Sequence, residues 1–173
     1  MTAPKTDYLF RSLYLRGAAL PLSWLYRAGL ALRPTGTPVR VNRPVVSIGN
    51  IHVGGSGKTP LVKAVTECLA AAQLKVAVVS RGYGGRASAK GAVVTPETKS
   101  LVAGDEPVEL ARALRHAAVV IGADRVRAAW EAAKSADVIL LDDGFQHQRL
   151  ARDLDIVVIP AASHPARERL LPL

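Results

Sequence analysis

A glycine-rich segment between an apolar run and a helical stretch constrains the fold of this chain more than any other feature. Residues 49–59 read Gly-Asn-Ile-His-Val-Gly-Gly-Ser-Gly-Lys-Thr, after the β-branched run 45–48 and before the Ala-rich stretch 60–72. Glycines let backbone N–H groups converge on phosphate oxygens, and the helix that follows adds a positive dipole. The segment therefore predicts a phosphate-binding loop of the P-loop type.

Individual roles within this loop follow from reach and charge. The predicted nucleotide-binding residues are Gly54, Gly55, Ser56, Gly57, Lys58 and Thr59. Lys58 can reach the β- and γ-phosphates of ATP, and the Thr59 hydroxyl can ligate Mg²⁺. His52 stands where the usual spacing has a glycine. The alternative is a glycine-rich turn that binds no nucleotide.

Short β-branched runs alternate with Ala-rich stretches from residue 45 onwards. The pattern predicts strands at residues 45–48, 76–80, 92–95, 119–121, 138–141 and 155–159, and helices at 60–72, 107–115 and 124–134. Apolar strands that alternate with helices indicate a buried parallel sheet with right-handed crossovers. The predicted fold class is α/β, a P-loop NTPase-like, three-layer domain with a mainly parallel sheet over residues 45–173.

Two acids, Asp142 and Asp143, directly follow the apolar run 138–141. An apolar strand that ends in an acid is the usual partner of a P-loop, because the carboxylate holds Mg²⁺ directly or through water. Ligands of open α/β sheets also bind at the carboxyl ends of strands. A strand followed by an acid often only caps a turn, so this prediction of metal ligands depends on the accompanying P-loop.

A second acidic pair, Asp105 and Glu106, stands just before the predicted helix 107–115. Such acids commonly cap a helix. A carboxylate beside a transferring phosphoryl group can instead accept the proton of the acceptor hydroxyl. Both interpretations stay open on the residues alone.

Three further loops carry side chains that can contact substrate or phosphate. These candidates are Arg81, Tyr83, Arg125, Gln146 and His147. The loop with Arg81 and Tyr83 either clamps an anionic substrate or is simply solvated. Arg125 can face phosphate while Asp124 caps the helix behind it. The segment with Gln146 and His147 either orients substrate and nucleotide or forms a turn whose Phe145 packs into the core.

Positive charge is concentrated at the N-terminus. The chain has a net charge of +9, and residues 1–50 hold seven basic side chains, one acidic residue and five of the eight aromatic residues. Arg16 and Arg27 bracket only ten uncharged residues, whereas a spanning helix needs about 20 apolar ones. Residues 7–32 therefore predict one or two helices lying on an anionic membrane surface, or alternatively a terminal helix packed on its own domain. Residues 33–44 predict a connector.

Composition excludes several classes of protein. The single cysteine, Cys68, excludes a disulfide framework and a multi-cysteine metal site. No guanine-reading Asn-Lys-x-Asp occurs, which favours ATP over GTP. A basic nucleic-acid-binding module is disfavoured, because the charged N-terminus is rich in leucine and no nucleic-acid motif is present.

Six phrases of the sequence, in this order, resemble one enzyme family. They are Ser-Ile-Gly-Asn at 47–50, Gly-Gly-Ser-Gly-Lys-Thr-Pro at 54–60, Ser-Arg-Gly-Tyr-Gly at 80–84, Gly-Asp-Glu-Pro at 104–107, Gly-Ala-Asp-Arg at 122–125 and Leu-Asp-Asp-Gly-Phe-Gln-His at 141–147. Over residues 8–160 the set is similar to tetraacyldisaccharide 4'-kinase, the lipid A 4'-kinase of Gram-negative bacteria. Asp-Asp-Gly-Phe-Gln-His is far more specific to it than the P-loop.

The resemblance implies an ATP- and Mg²⁺-dependent lipid kinase of lipopolysaccharide synthesis, peripheral at the cytoplasmic face of the inner membrane. It would transfer the γ-phosphate of ATP to the 4'-hydroxyl of a tetraacylated glucosamine disaccharide 1-phosphate. By position, Lys58 and Thr59 are the P-loop lysine and the Mg²⁺ ligand, and Asp105 activates the sugar hydroxyl. The other implied roles are Glu106 beside the catalytic acid, Asp142 and Asp143 as the metal-binding pair, Gln146 and His147 in the active site, and Arg81, Tyr83 and Arg125 near substrate or phosphate.

Members of this family are considerably longer and continue into a smaller second α/β lobe. We expect the present chain to correspond to the nucleotide-binding core without that lobe. The histidine that assists the catalytic acid in the family belongs to that second half, so no residue here is given its role. A different function also stays open, namely a membrane-associated P-loop switch ATPase that regulates a partner protein.

Overall fold

The computed structural model describes residues 37–50, 57–87, 91–145 and 147–159. The interfacial helices predicted for residues 7–32 lie outside these ranges, as do residues 33–36 of the predicted connector. Four of the predicted site residues also lie outside them: Gly54, Gly55, Ser56 and Gln146.

The described residues form six strands and four helices. The strands are Val45–Asn50 (β1), Val76–Ser80 (β2), Ala92–Val94 (β3), Ala118–Ile121 (β4), Val138–Asp142 (β5) and Leu154–Val158 (β6). The helices are Lys58–Ala71 (α1), Ser100–Ala103 (α2), Asp105–Ala113 (α3) and Arg125–Ala132 (α4). Each predicted strand and helix is confirmed to within three residues at either end, and α2 was not predicted.

All six strands join one sheet in the order β3-β4-β2-β5-β1-β6. Five of them run parallel, and β3 pairs antiparallel with β4. The described residues between β2 and β3, 81–87 and 91, form no helix that would return the chain to the amino edge of the sheet, and β3 runs antiparallel to its neighbour β4. The α/β class with a mainly parallel sheet is confirmed, and β3 departs from the parallel direction.

Helices cover both faces of the sheet and enclose two apolar clusters. One cluster joins Ile48, Val78 and Leu140 of the strands to Val62 of α1 and Leu110 of α3. On the opposite face, Val79, Ile139 and Leu141 pack against Ala128 and Ala129 of α4. Every residue of β5 is buried, as expected for a central strand of a three-layer fold. The edge strand β6 is exposed or only partly buried along its length.

The parallel register brings the loops that carry the predicted site residues to one edge of the sheet. Ile48 of β1 pairs with Asp142 of β5, and Ser80 of β2 pairs with Ile121 of β4. The carboxyl ends of these four strands are therefore level. No helix in the described part of the chain is long and apolar enough to cross a membrane.

Candidate active site

Lys58 is the first residue of α1 and connects two strands at the carboxyl edge of the sheet. Its Nζ donates to Asn50 Oδ1 at 3.1 Å and to Asp143 Oδ1 at 2.7 Å. Gly57, the N-cap of α1, offers no side-chain cap to the helix. The first N–H groups of α1 thus receive no acceptor from the capping residue, and such helix starts favour anions such as phosphate.

Thr59 connects the start of α1 to the start of α3. Its hydroxyl donates to Glu106 Oε1 at 3.3 Å. Asp105 and Glu106 form the exposed first turn of α3, and its N-cap is Gly104, which makes no side-chain capping bond. The interpretation of these two acids as side-chain caps is therefore wrong, because the helix already begins at Asp105.

Gly104 turns the chain so that Asp105 follows directly after the loop of β2. Its φ is 90°, a conformation that disfavours other residues, and a Cβ at this position would overlap the Tyr83 carbonyl oxygen. The close approach of these two backbones brings the acidic turn of α3 beside the basic loop that holds Arg81 and Tyr83.

Asp142, the last residue of β5, is an acidic residue of the site with a strongly raised pKa. Only 4% of its surface is exposed. Burial, then the neighbouring charges of Glu106 and Asp143, raise the pKa of Asp142 from 3.8 to about 6, against the opposing effect of Lys58 and Arg125. The ionised form of Asp142 is thus destabilised mainly by burial and then by two neighbouring carboxylates, and a bound cation would stabilise that form.

Asp143 adopts a left-handed backbone conformation, with φ of 54°. This conformation costs a non-glycine residue roughly 1–2 kcal/mol, although aspartate tolerates it better than most. The left-handed turn leaves its carboxylate against the ammonium group of Lys58. The strain is thus stored where the loop after β5 meets α1.

Arg125 is a buried cation at the same edge of the sheet. It is 5% exposed, and its Nη1 donates to the Gly122 carbonyl at 2.6 Å. Within the described residues its Nε has no hydrogen-bond partner. Burial, followed by the charge of Arg81, lowers the pKa of Arg125, while Asp142 is the strongest group acting in the opposite direction. An anion placed beside Arg125 would relieve both effects.

Arg81 and Tyr83 form an exposed pair on the loop after β2. Arg81 Nη1 donates to the Tyr83 hydroxyl at 2.6 Å, and the guanidinium carbon lies 4.8 Å from the centre of the Tyr83 ring. The pair is therefore preorganised beside the acidic turn, where it can meet an incoming ligand.

His147 lies beside the loop after β5. Its main-chain N–H donates to the Gly144 carbonyl at 2.9 Å. Burial and then the charge of Arg125 lower the pKa of His147, so its ring is neutral at physiological pH. Among the described residues its buried Nε2 has no hydrogen-bond partner.

The donor set at this edge fits Mg²⁺ held together with a nucleotide. The hydroxyl of Thr59 and the carboxylates of Glu106, Asp142 and Asp143 are all oxygen donors. Burial, followed by repulsion from Glu106 and Asp143, raises the pKa of Asp142. In the ranges that the structure describes, no group of three or more acidic, histidine or cysteine side chains forms a complete metal cage. Nucleotide-bound Mg²⁺ needs only one or two carboxylates, because phosphates and water supply the other ligands.

Two residues of this region were not singled out by sequence reasoning. Asn50 accepts a hydrogen bond from Lys58, and its position at the end of β1 was the available signal. Arg152 donates from its Nη1 to the carbonyls of Gly144 at 3.2 Å and Phe145 at 2.9 Å. No motif marks Arg152, since the contact depends on how the chain returns before β6.

Comparison with known sequences gives one consistent result. The family model described as tetraacyldisaccharide-1-P 4'-kinase matches residues 15–173. A tetraacyldisaccharide 4'-kinase of Chromobacterium violaceum is 51% identical over 139 residues, which cover 79% of this chain and 40% of the relative. The corresponding protein of Anaeromyxobacter sp. strain Fw109-5 is 47% identical over 161 residues, covering 86% of this chain and 43% of the relative.

A solved structure agrees with these sequence matches. The crystal structure described as "apo" form LpxK from Aquifex aeolicus in complex with ATP superposes with a TM-score of 0.79 at 35% identity. The match covers 91% of this chain and 52% of that chain. The present chain thus spans less than half the length of the curated relatives reported above.

Proposed function

The chain belongs to the tetraacyldisaccharide-1-P 4'-kinase family, and we propose that it carries the ATP site and the phosphoryl-transfer site of a lipid A 4'-kinase. The observation that carries this proposal is the contact set of the first two residues of α1. Lys58 is held by Asn50 and Asp143, and Thr59 is held by Glu106. One element thus joins a phosphate-binding lysine to acids on two different loops.

ATP would bind with its triphosphate at the start of α1. Lys58 would exchange its contact with Asp143 for the β- and γ-phosphates, and Gly54, Gly55, Ser56 and Gly57 would supply backbone N–H groups. The ATP-bound state of the Aquifex aeolicus relative supports this assignment by similarity. Arg125, buried with an Nε that has no partner in the described region, would add positive charge beside the transferring group.

Mg²⁺ would be held by Thr59, Asp142 and Asp143. When bound, the ion neutralises negative charge that develops on the phosphate oxygens during transfer. In its absence, Asp142 is destabilised as an anion, which its raised pKa expresses. These residues therefore have an electrostatic reason to take up a cation together with the nucleotide.

Asp105 would act as the general base. The 4'-hydroxyl oxygen of the lipid disaccharide attacks the γ-phosphorus in line and passes its proton to the Asp105 carboxylate. The new O–P bond replaces the bond from the γ-phosphorus to the β,γ-bridging oxygen, and ADP leaves with that electron pair. Glu106, held by Thr59, would keep the acidic turn of α3 close to the nucleotide.

The lipid substrate would approach across the exposed pair Arg81 and Tyr83. A tetraacylated disaccharide 1-phosphate is anionic, and a guanidinium beside an aromatic ring suits a sugar phosphate. Gln146 and His147 would contact substrate or nucleotide from the loop after β5. The basic, leucine-rich residues 7–32 would hold the protein peripherally at the cytoplasmic face of the inner membrane.

Phosphorylation of the lipid by this chain tests the proposal. The chain is incubated in mixed micelles with Mg-ATP and tetraacyldisaccharide 1-phosphate, and mass spectrometry detects a second phosphate on the lipid. We expect product from the wild-type chain and none from Asp105→Asn, which should still bind ATP. Glu109→Gln, a change at an exposed acid of the same helix, is the matched control and should retain activity.

Three results would contradict the proposal or the role that it gives to Asp105. A folded chain that binds Mg-ATP and yields no phosphorylated lipid would overturn the assignment of transfer to this chain. Slow ATP hydrolysis that is independent of the lipid, and unchanged in Asp105→Asn, would favour the alternative of a switch ATPase. Loss of both ATP binding and folding in Asp105→Asn would show that this residue is structural.

A further inference from the structure

Arg152 reaches from the segment before β6 to the loop that carries the proposed metal ligands. Its Nη1 donates to the carbonyls of Gly144 and Phe145. Its Nε lies 3.4 Å from Asp155 Oδ1 on β6, and only 19% of its side chain is exposed. One guanidinium group therefore ties the loop after β5 to the edge strand of the sheet.

Arg152 contacts the two residues that follow the strained residue Asp143 in the chain. The residue before it, Asp142, is fixed by its pairing with Ile48 in the sheet. The peptide between Asp143 and Gly144 is fixed as well, because the Gly144 N–H donates to the Ile48 carbonyl at 3.3 Å. Arg152 then orients the two following carbonyls. The backbone of Asp143 is thus held from both directions, which is how a left-handed aspartate persists.

We propose that Arg152 is a positioning residue, which keeps Asp143 in its left-handed conformation with its carboxylate turned toward Lys58 and the metal position. This inference rests on the proposed function, since it assigns a purpose to the orientation of Asp143. Arg152 itself would contact neither nucleotide nor metal. It acts through Asp143, and Asp155 holds its guanidinium in place.

The strain at Asp143 sets the size of the expected effect. Without Arg152, the loop can relax to conformations in which Asp143 leaves the left-handed region. If only a fraction of molecules then presents Asp143 correctly, the apparent affinity falls by that fraction. The penalty for the left-handed conformation corresponds to a loss of about tenfold in affinity for Mg-ATP. ATP without Mg²⁺ does not need Asp143 and should bind nearly as before.

The decisive comparison is ATP affinity with Mg²⁺ against ATP affinity in EDTA, measured by calorimetry on the full chain. Arg152→Met should weaken binding of Mg-ATP about tenfold while leaving binding of ATP in EDTA within about twofold. Arg152→Lys should show a smaller loss, since lysine keeps the charge but not the planar fork. Asp155→Asn should change the affinities in the same direction as Arg152→Met, more weakly. Arg149→Met, at an exposed arginine of the same segment, is the matched control and should behave as wild type.

A second readout works without any nucleotide. The Gly144 amide is bonded to Ile48, and its hydrogen exchange reports how often the loop opens. We expect exchange about tenfold faster in Arg152→Met than in Arg149→Met. If both variants exchange alike, or if Arg152→Met weakens ATP binding equally with and without Mg²⁺, the positioning role is wrong. If the wild-type chain binds no ATP, the proposed function is wrong. If exchange of the Gly144 amide is nevertheless faster in Arg152→Met, Arg152 still orders this loop.

Discussion

Replacing Asp142 by asparagine should stabilise the ligand-free protein, although the residue is proposed to act in the site. Asp142 is 4% exposed, and its pKa is raised from 3.8 to about 6, first by burial and then by Glu106 and Asp143. A shift of this size corresponds to about 3 kcal/mol of destabilisation when the side chain is ionised. Asparagine has almost the same shape and removes the charge.

The sign of the pH dependence follows from proton binding. Between pH 3.8 and about 6 the native state holds the Asp142 proton and the unfolded chain has lost it, so wild-type stability falls as pH rises. Asp142→Asn lacks this dependence. The free energy of unfolding of the variant should therefore exceed that of the wild type by roughly 1.5 kcal/mol at about pH 5 and by roughly 3 kcal/mol at about pH 7.5.

Urea unfolding followed by circular dichroism at both pH values measures these differences. Glu67→Gln, at an exposed acid on α1, is the control and should stay within about 0.5 kcal/mol of wild type. If Asp142→Asn were less stable than wild type at both pH values, the ionised Asp142 carboxylate would not destabilise the native state and the prediction would be wrong. A gain in stability that does not change with pH would also contradict the prediction, since only the loss of a titrating charge produces the slope.

Three other substitutions test separate parts of the structure. Lys58→Met should weaken ATP binding by at least about tenfold in calorimetry, because it removes the proposed phosphate ligand; unchanged affinity would reject the P-loop assignment. Gly49→Ala should lower the free energy of unfolding by roughly 1–3 kcal/mol in urea, because a Cβ at this position would overlap the Phe145 Cβ. An unchanged free energy of unfolding would show that the loop after β5 readily shifts. Asp124→Ala should lower the free energy of unfolding by about 1 kcal/mol, because the carboxylate caps α4 by accepting from the N–H groups of Val126 and Arg127 at 3.0 and 3.3 Å. An unchanged free energy of unfolding would mean that water replaces the cap.

The strands and long helices of this domain are predictable because each follows from a local pattern. The apolar run of β2 predicts Val76–Ser80 without error, since its five residues are all buried. The capping role of Asp124 is also local and is confirmed by its two backbone bonds. The carboxyl-edge location of Lys58 and Asp142 follows from the parallel order of the strands.

Features that depend on tertiary contacts escaped prediction. The short helix α2 is held partly by the loop after β2, where the N–H groups of Arg86 and Ala87 donate to the carbonyls of Leu101 and Val102. No pattern within Ser100–Ala103 carries that information. The antiparallel direction of β3 accompanies a connection whose described residues, 81–87 and 91, form no helix.

The candidate site shows the same division. Its acidic and basic side chains could be named from motifs, whereas their pairings could not. The bond between Thr59 and Glu106 joins two residues that are 47 positions apart in the chain and lie on different helices. The contact of Arg152 with the loop after β5 needs the return of the chain into β6. Neither contact can be predicted from a local sequence pattern, because both form only once the sheet has brought distant segments together.

A crystal structure of this chain with ATP and Mg²⁺ would show directly whether the start of α1 binds the triphosphate. We expect the triphosphate at the start of α1, with Lys58 Nζ moved from Asp143 to the β- and γ-phosphates and a metal ion between Thr59 and the pair Asp142 and Asp143. ATP bound elsewhere on the domain, or a triphosphate at α1 with Lys58 still on Asp143, would contradict the proposed ATP site.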